Sequence, residues 1–312
     1  MMVPAALLVL GVLTALLAPR LLARARWPDR EPVVALWVWQ CVVGAVLLCF
    51  GLSMLLSAAA AWQAVRGRLF AAAPHGVVDA YALGAAGGPW AAFTALTLAG
   101  GALWTGAMLT REVLRARADR RARGTELLVR APLLPGEDPA GARLVVLEGR
   151  RPDAWWLPGA APQLVVTTAA LGRLKGSQLD AVLAHEQSHA AARHDWLLHC
   201  SRALSGGFPQ VPVFLAFEAE MHRLVELAAD DAASRRYGRL TVALALVGLN
   251  EDRGAFGPSA APQTHVSHRV RRLLSAAPRL SAVRRLRLTA LATLVPAVPL
   301  LVALVPGLSA LA

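Results

Sequence analysis

Residues 182–190 read VLAHEQSHA, and this stretch decides how the rest of the chain is interpreted. It contains the pattern His-Glu-x-x-His, at His185, Glu186 and His189. On a helix, the two histidines are one turn apart and point to the same side. Two imidazoles in this arrangement can bind one Zn²⁺, while Glu186 beside them can take a proton from a zinc-bound water. The sequence therefore predicts one zinc ion per chain, with Glu186 as the catalytic base.

A catalytic zinc site needs a third protein ligand. The metzincin pattern would need glycine at position 192 and histidine at position 195, but the chain has Ala192 and Asp195, so that class is excluded. His194 comes five residues after His189, about 140° further round a continuous helix. We therefore expect His194 to point away from the site, as a surface or packing histidine.

Glu226 is the better candidate for the third ligand. Glu226 and Asp230 are four residues apart on a helix predicted over Phe214–Tyr237, so they share one face. An acidic pair on a helix is usually solvated, but the residues around this one are apolar (Leu224, Val225, Leu227, Ala228 and Ala229). Glu226 is predicted to complete a site with two histidines and one glutamate, and Asp230 to orient a ligand histidine from behind.

The segment around these residues mixes strands and helices. Two runs rich in branched residues, Ala142–Glu148 and Gln163–Thr168, are predicted strands, and Trp155–Gly159 is a strand end or a loop. Ser177 is typical of an N-cap, and the helix that it begins is expected to reach about His194. Leu134–Gly141 is typical of a linker. The apolar stretch 203–217 contains Gly206, Gly207, Pro209 and Pro212; it is too short and broken to span a membrane, so it either touches the membrane surface or packs in the domain.

The composition is that of a membrane protein. Of the 312 residues, 56% are hydrophobic and only 17% are charged, which argues against a disordered chain and against an ordinary soluble enzyme. Four long apolar runs predict about four transmembrane helices: Met1–Pro19, Pro32–Val65, Gly84–Thr110 and the run from Arg287 to Ala312. The first is expected to be an uncleaved helix, because no base precedes it. The three cysteines are expected to be free thiols.

The net charge of +12 is explained by where the arginines lie. They cluster between the first two runs, after the third and before the fourth, while the loop between the second and third has only Arg66 and Arg68. The positive-inside rule then puts the N-terminus outside and the segment from Arg111 to Arg287 in the cytoplasm. Nucleic-acid binding, the alternative for a basic chain, would need aromatics or a recognition helix among the bases, and neither is present.

The apolar runs and the arginine clusters together predict three parts of the chain: a membrane domain with three helices over residues 1–110, a cytoplasmic zinc metallopeptidase domain over 111–287, and a transmembrane helix over 288–312. The expected fold class is α+β and predominantly α, a multi-pass protein of the plasma membrane.

The chain resembles the gluzincin membrane peptidases at a set of motif positions, namely residues 182–189, Arg193, Asp195, Arg223, Glu226 and Asp230. These peptidases include the BlaR/MecR-type antirepressors and their relatives of the HtpX and CAAX-protease type. The resemblance covers about Arg143 to Leu273, and three helices before this region and one after it resemble the BlaR/MecR arrangement best. It implies a zinc metalloendopeptidase, with His185, His189 and Glu226 as ligands, Glu186 as base and Asp230 supporting a ligand.

Two departures from the family pattern affect what the resemblance implies. BlaR/MecR receptors carry an extracellular penicillin-binding sensor after the last helix, whereas only 25 residues follow Arg287 here, so β-lactam sensing in cis is not expected. The HtpX and CAAX-type relatives carry a His-Pro…Arg-Ile element, whose nearest match, Thr264–Val270, lacks the proline. His265, His268 or Arg269 are candidates to stabilise the transition state; the alternative is that they are bases near the membrane interface.

Together these observations predict a membrane zinc metalloendopeptidase whose active site faces the cytoplasm. Its substrate is expected to be a cytoplasmic or membrane protein, with a BlaI/MecI-like repressor as one candidate, and to lie along an edge strand near Leu164–Thr168. The partners are therefore a protein substrate and the lipid bilayer, with no direct nucleic acid. The alternative is a catalytically inactive membrane signalling protein that retains the protease fold.

Overall fold

The computed structural model describes residues 2–65, 88–130, 143–157, 163–250, 264–275 and 278–311. Three features discussed above lie outside these residues: the loop with Arg66 and Arg68, the predicted linker Leu134–Gly141, and the Pro158–Gly159 pair. The described residues are predominantly helical with one small sheet, which confirms the predicted fold class.

Among the described residues, three helices are long and apolar enough to cross a membrane, as the apolar runs predicted: α1 (Met2–Ala23), α2 (Pro32–Val65) and α3 (Gly88–Arg130). α3 runs without a break from its apolar half into the charged stretch after Arg111. The apolar helices support membrane association. Cys41 and Cys49 in α2 and Cys200 further along are free thiols, also as predicted.

The C-terminal apolar run differs from the single helix that was predicted. Two helices cover it: α10 (Ala282–Leu294), which begins before the apolar run, and α11 (Ala297–Leu311), with a bend of 44° between them. Pro296 lies at the break, where it has no N–H to donate to a helical carbonyl. If the bent pair is one span, the described residues contain up to four spans.

The sheet has three strands, β1 (Arg143–Leu147), β2 (Ala154–Leu157) and β3 (Gln163–Thr167), in the order β1-β3-β2. β3 is parallel to β1 and antiparallel to β2. Residues Trp155–Leu157, which belong to the stretch predicted as a strand end or a loop, thus form part of strand β2. The expectation of an edge strand near Leu164–Thr168 was wrong, because β3 is central and pairs on both sides; the edges are β1 and β2.

Six further helices follow the sheet: α4 (Thr168–Arg173), α5 (Ser177–Ala191), α6 (His194–Gly207), α7 (Pro212–Tyr237), α8 (Arg239–Asn250) and α9 (Thr264–Leu274). α7 ends at Tyr237, as predicted, and Gly238 follows as its C-cap, with a positive φ of 83° that favours glycine.

The zinc-motif helix α5 is shorter than predicted and begins differently. It ends at Ala191, not at His194, because Arg193 adopts a left-handed conformation (φ 52°) that interrupts the helix. Ser177 is the first residue of the helix and not its N-cap; Gly176 holds that position, with no side-chain capping hydrogen bond.

The main hydrophobic core joins the helices after the sheet to the membrane helices. α7 contributes an apolar face that includes Phe217 and Met221, and α2 contributes Trp39, whose ring centroid is 6.4 Å from that of Phe217. Leu204 and Phe214, from the apolar stretch 203–217, are buried in the same cluster. Part of that stretch therefore packs inside the protein, and α7 is held against α2.

Phe217→Ala should lower the free energy of unfolding by about 3–5 kcal/mol, because it removes a buried aromatic side chain and leaves a cavity beside Trp39. Leu215→Ala is the matched control on the same helix, since Leu215 is 47% exposed. We expect the control to change stability by less than about 1 kcal/mol. Unfolding of the detergent-solubilised chain would measure both, and equal losses would contradict this account of the core.

Candidate metal centre

Three side chains from two helices converge on one point. His185 and His189 lie one turn apart on α5, and Glu226 faces them from α7. The Nε2 atoms of the two histidines are 3.2 Å apart. Glu226 Oε2 is 3.5 Å from His185 Nε2, and its Oε1 is 3.5 Å from His189 Nε2. The structure therefore brings together the three residues that the sequence predicted as ligands.

The spacing of these atoms fits a small tetrahedral cation. In a tetrahedral zinc site with bonds of about 2.0–2.1 Å, neighbouring ligand atoms are about 3.3–3.4 Å apart. The two imidazole nitrogens are 3.2 Å apart, and each has one oxygen of Glu226 at 3.5 Å, Oε2 for His185 and Oε1 for His189, so the spacing of the three side chains is close to that value. Two imidazole nitrogens and one carboxylate oxygen form a donor set that zinc accepts, and three protein ligands leave a fourth position open.

Glu186 lies beside the three convergent groups and is held by the sheet. Its Oε2 accepts a hydrogen bond of 3.2 Å from the backbone N–H of Trp156 in β2. Burial raises the pKa of Glu186 to about 6, against a smaller opposing effect of His185. A carboxylate with a pKa in this range can accept and return a proton near neutral pH.

Asp230 supports His185 from behind. Its side chain is completely buried, and its Oδ1 is 3.1 Å from His185 Nδ1, on the opposite side of the ring from the convergent Nε2. This contact directs Nε2 toward His189 and Glu226. Burial alone would lower the pKa of His185, but Asp230 and Glu226 together raise it to about 9.

Arg269, from α9, binds both acidic residues of α7. Its Nε and Nη2 donate to the two carboxylate oxygens of Asp230 at 2.8 and 2.6 Å, and its Nη1 donates to Glu226 Oε2 at 2.7 Å. Burial would raise the pKa values of Asp230 and Glu226, but Arg269 and His185 hold both below their ordinary range. Arg269 was predicted from the sequence as a transition-state stabiliser or an interfacial base. It is largely enclosed, with 12% of its side chain exposed, and it fixes these two carboxylates; a role in the transition state stays a prediction.

Three other histidines that the sequence analysis considered, His194, His265 and His268, lie in different places. His268 is 44% exposed and its Nε2 is 3.6 Å from Asp29 Oδ2, away from the convergent groups. His265 lies in the first turn of α9, and its side chain is outside the described residues. His194 was expected to point away, and that was wrong: it is buried, with its Nδ1 3.0 Å from His189 Nδ1.

The position of His194 follows from the early end of α5. The left-handed turn at Arg193 redirects the chain, so the 140° offset of a continuous helix does not apply. His194 thereby contacts the back of His189, as Asp230 contacts the back of His185. Nothing in the local sequence indicates this turn, because a non-glycine residue occupies the left-handed position.

Comparison with known proteins gives one match. Residues 116–206 match the family model for Peptidase family M48, and this segment contains α5 with its His-Glu-x-x-His motif. The match supports a gluzincin-type metallopeptidase domain in this part of the chain. It ends before Glu226, Asp230 and Arg269. Comparisons with curated proteins and with solved structures found no match.

Arg269→Met should lower the free energy of unfolding by about 3–5 kcal/mol, measured with a chelator present. The substitution leaves the fully buried Asp230 carboxylate without the cation that neutralises it. Arg271→Met on the same helix is the control, since Arg271 is exposed, and we expect it to change stability by about 0.5 kcal/mol or less. A fully stable Arg269→Met protein would show that this ion pair does not organise the centre.

Proposed function

We propose that the protein is a membrane-embedded zinc metalloendopeptidase, with His185, His189 and Glu226 as the zinc ligands and Glu186 as the catalytic base. The observation that carries the proposal is the convergence of His185, His189 and Glu226, whose ligand atoms lie within 4.8 Å of one another, directly beside the partly buried Glu186. The match to Peptidase family M48 supports the same class of activity.

A zinc ion bound by this donor set supplies Lewis acidity, which polarises a peptide carbonyl and makes a water molecule more acidic. The protein's own residues supply the rest. Asp230 and Arg269 hold His185 and Glu226 in one arrangement, so that little reorganisation is needed during the reaction. Glu186 takes a proton from the attacking water and returns it to the amine that leaves when the peptide bond breaks.

Strand β2 is the proposed docking edge for the substrate. It is an edge of the sheet, and the Trp156 N–H points away from β3 to Glu186. An extended peptide added alongside β2 would use main-chain hydrogen bonds, which do not depend on side-chain identity. This mode favours unfolded or flexible segments of protein substrates over folded surfaces.

The arginine distribution supports a topology with the N-terminus outside and residues 111–287 in the cytoplasm. The packing of α7 against α2 keeps the candidate centre close to the membrane helices. The proposed substrates are thus cytoplasmic proteins or the cytoplasmic faces of membrane proteins. A repressor of the BlaI/MecI kind fits this class and the resemblance to BlaR/MecR-type peptidases, which would make the role one of signal transduction.

The test compares Glu186→Gln with Glu148→Gln, a control at an exposed glutamate. Glu186→Gln should keep one zinc per chain and lose peptidase activity by roughly 10²–10⁴-fold, because the ligands remain and the base is gone. Glu148→Gln should match the wild type. Zinc content and cleavage of an unfolded protein such as casein, together with self-cleavage, are the measurements.

A chelator should abolish the wild-type activity, and added zinc should restore it. If Glu186→Gln cleaves as fast as the wild type, the proposed mechanism is wrong. If the wild type binds zinc but cleaves neither casein nor itself, the inactive signalling protein becomes the better interpretation.

A further inference from the structure

A basic pocket lies on the other side of α9 from the metal centre. Its volume is about 440 Å³, and its wall includes two aspartates, Asp29 and Asp231. Six arginines line it: Arg26, Arg30, Arg239, Arg271, Arg272 and Arg279. A pocket with this excess of positive charge selects for an anion. None of these arginines belongs to the proposed catalytic machinery.

The pocket is located where three apolar helices end on one side. Arg26 and Arg30 lie in the loop between the end of α1 at Ala23 and the start of α2 at Pro32. Arg279 lies just before α10. α10 runs alongside α2 in the same direction, since Arg285 pairs with Glu31 at 3.9 Å and Trp37 donates to Thr293 at 3.2 Å. If these helices span a bilayer, the pocket is therefore at the level of lipid headgroups.

The charges inside the pocket are unevenly compensated. Arg272 neutralises Asp231, with Nη1–Oδ1 and Nη2–Oδ2 distances of 2.9 Å each. Asp29 is paired with Arg223 and faces His268.

Three arginines have no such compensation. The guanidinium groups of Arg26, Arg30 and Arg271 form neither an ion pair nor a hydrogen bond with any part of the chain that the structure describes, and all three are exposed. Since Asp29 and Asp231 are already paired with other arginines, these three guanidinium groups remain available to bind an anionic ligand.

We propose that this pocket binds the phosphate-bearing headgroup of an anionic phospholipid. Guanidinium groups match phosphate oxygens in charge and geometry. Basic pockets between membrane helices on the cytoplasmic side are suited to acidic headgroups, which are abundant in that leaflet. The position at the helix ends favours a lipid over free phosphate as the source of the anion. The inference rests on the membrane placement of the helices and not on peptidase activity.

The pocket and the metal centre share two structural elements. Arg272 and Arg269 are three residues apart on α9, and Asp231 follows Asp230 on α7. Arg272 and Asp231 line the pocket, whereas Arg269 and Asp230 lie in the metal centre. A headgroup in the pocket therefore contacts the helix that carries Arg269.

The test uses the full chain in an uncharged detergent and three probes: short-chain phosphatidylglycerol, short-chain phosphatidylcholine and inorganic phosphate. Affinities are measured by microscale thermophoresis and bound lipid by native mass spectrometry. The variant Arg26→Gln/Arg30→Gln/Arg271→Gln removes the three available charges. The control Arg20→Gln/Arg24→Gln/Arg284→Gln removes three exposed arginines outside the pocket, near the same helix ends.

The wild type should bind phosphatidylglycerol at least about tenfold more tightly than the other two probes. At roughly fivefold per arginine, the pocket variant should lose about 100-fold of this affinity, and the control less than about threefold. If the triple variant does not fold, Arg26→Gln and Arg271→Gln should each weaken binding about fivefold. Three results would overturn the proposal: equal binding of phosphatidylcholine, an equal loss in the control, or inorganic phosphate binding as tightly as the anionic lipid.

Discussion

The buried carboxylate of Asp230 is the interaction on which the rest of the centre depends. It is completely enclosed, and an isolated carboxylate there would be strongly destabilising. His185 on α5 and Arg269 on α9 both bind it, so three helices meet at one charge. Arg269 also binds Glu226. The same network therefore orients two proposed ligands, Glu226 from α7 and His185 from α5.

The same helix α7 connects this network to the membrane helices. One side of α7 carries Glu226 and Asp230, and apolar residues such as Phe217 and Met221 pack with α2. Because the 26-residue helix α7 contributes to the metal centre and also packs against α2, it fixes the position of the centre relative to α2. This gives a physical basis for a peptidase that acts close to a bilayer. It also explains why the stretch around Phe214 is apolar although it is too short to cross a membrane: Phe214 is buried in the same core.

The parts of the structure that follow from local spacing were predictable from the sequence. The i, i+4 spacing of His185 and His189, and that of Glu226 and Asp230, places each pair on one helical face whatever the rest of the fold does. The apolar runs likewise predicted helices that are long enough to cross a membrane, although a bend at Pro296 divides the last one.

What failed depended on chain reversals and on contacts distant in sequence. The predicted orientation of His194 was wrong because Arg193 adopts a left-handed conformation and interrupts the helix, and no glycine in the sequence indicates this. β3 was taken for an edge because strand order depends on which strands pair, and that is not encoded within any one strand. Arg269 lies 39 residues from Asp230, and its charge alone was equally compatible with a surface position.

X-ray absorption at the zinc K-edge of the purified full-length protein tests the central claim most directly. We expect one zinc per chain, bound by nitrogen and oxygen atoms alone at about 2.0–2.1 Å, with the scattering pattern of two imidazoles and a four-coordinate geometry. Sulfur ligands at about 2.3 Å, a six-coordinate oxygen shell, or a protein that retains no zinc would contradict it.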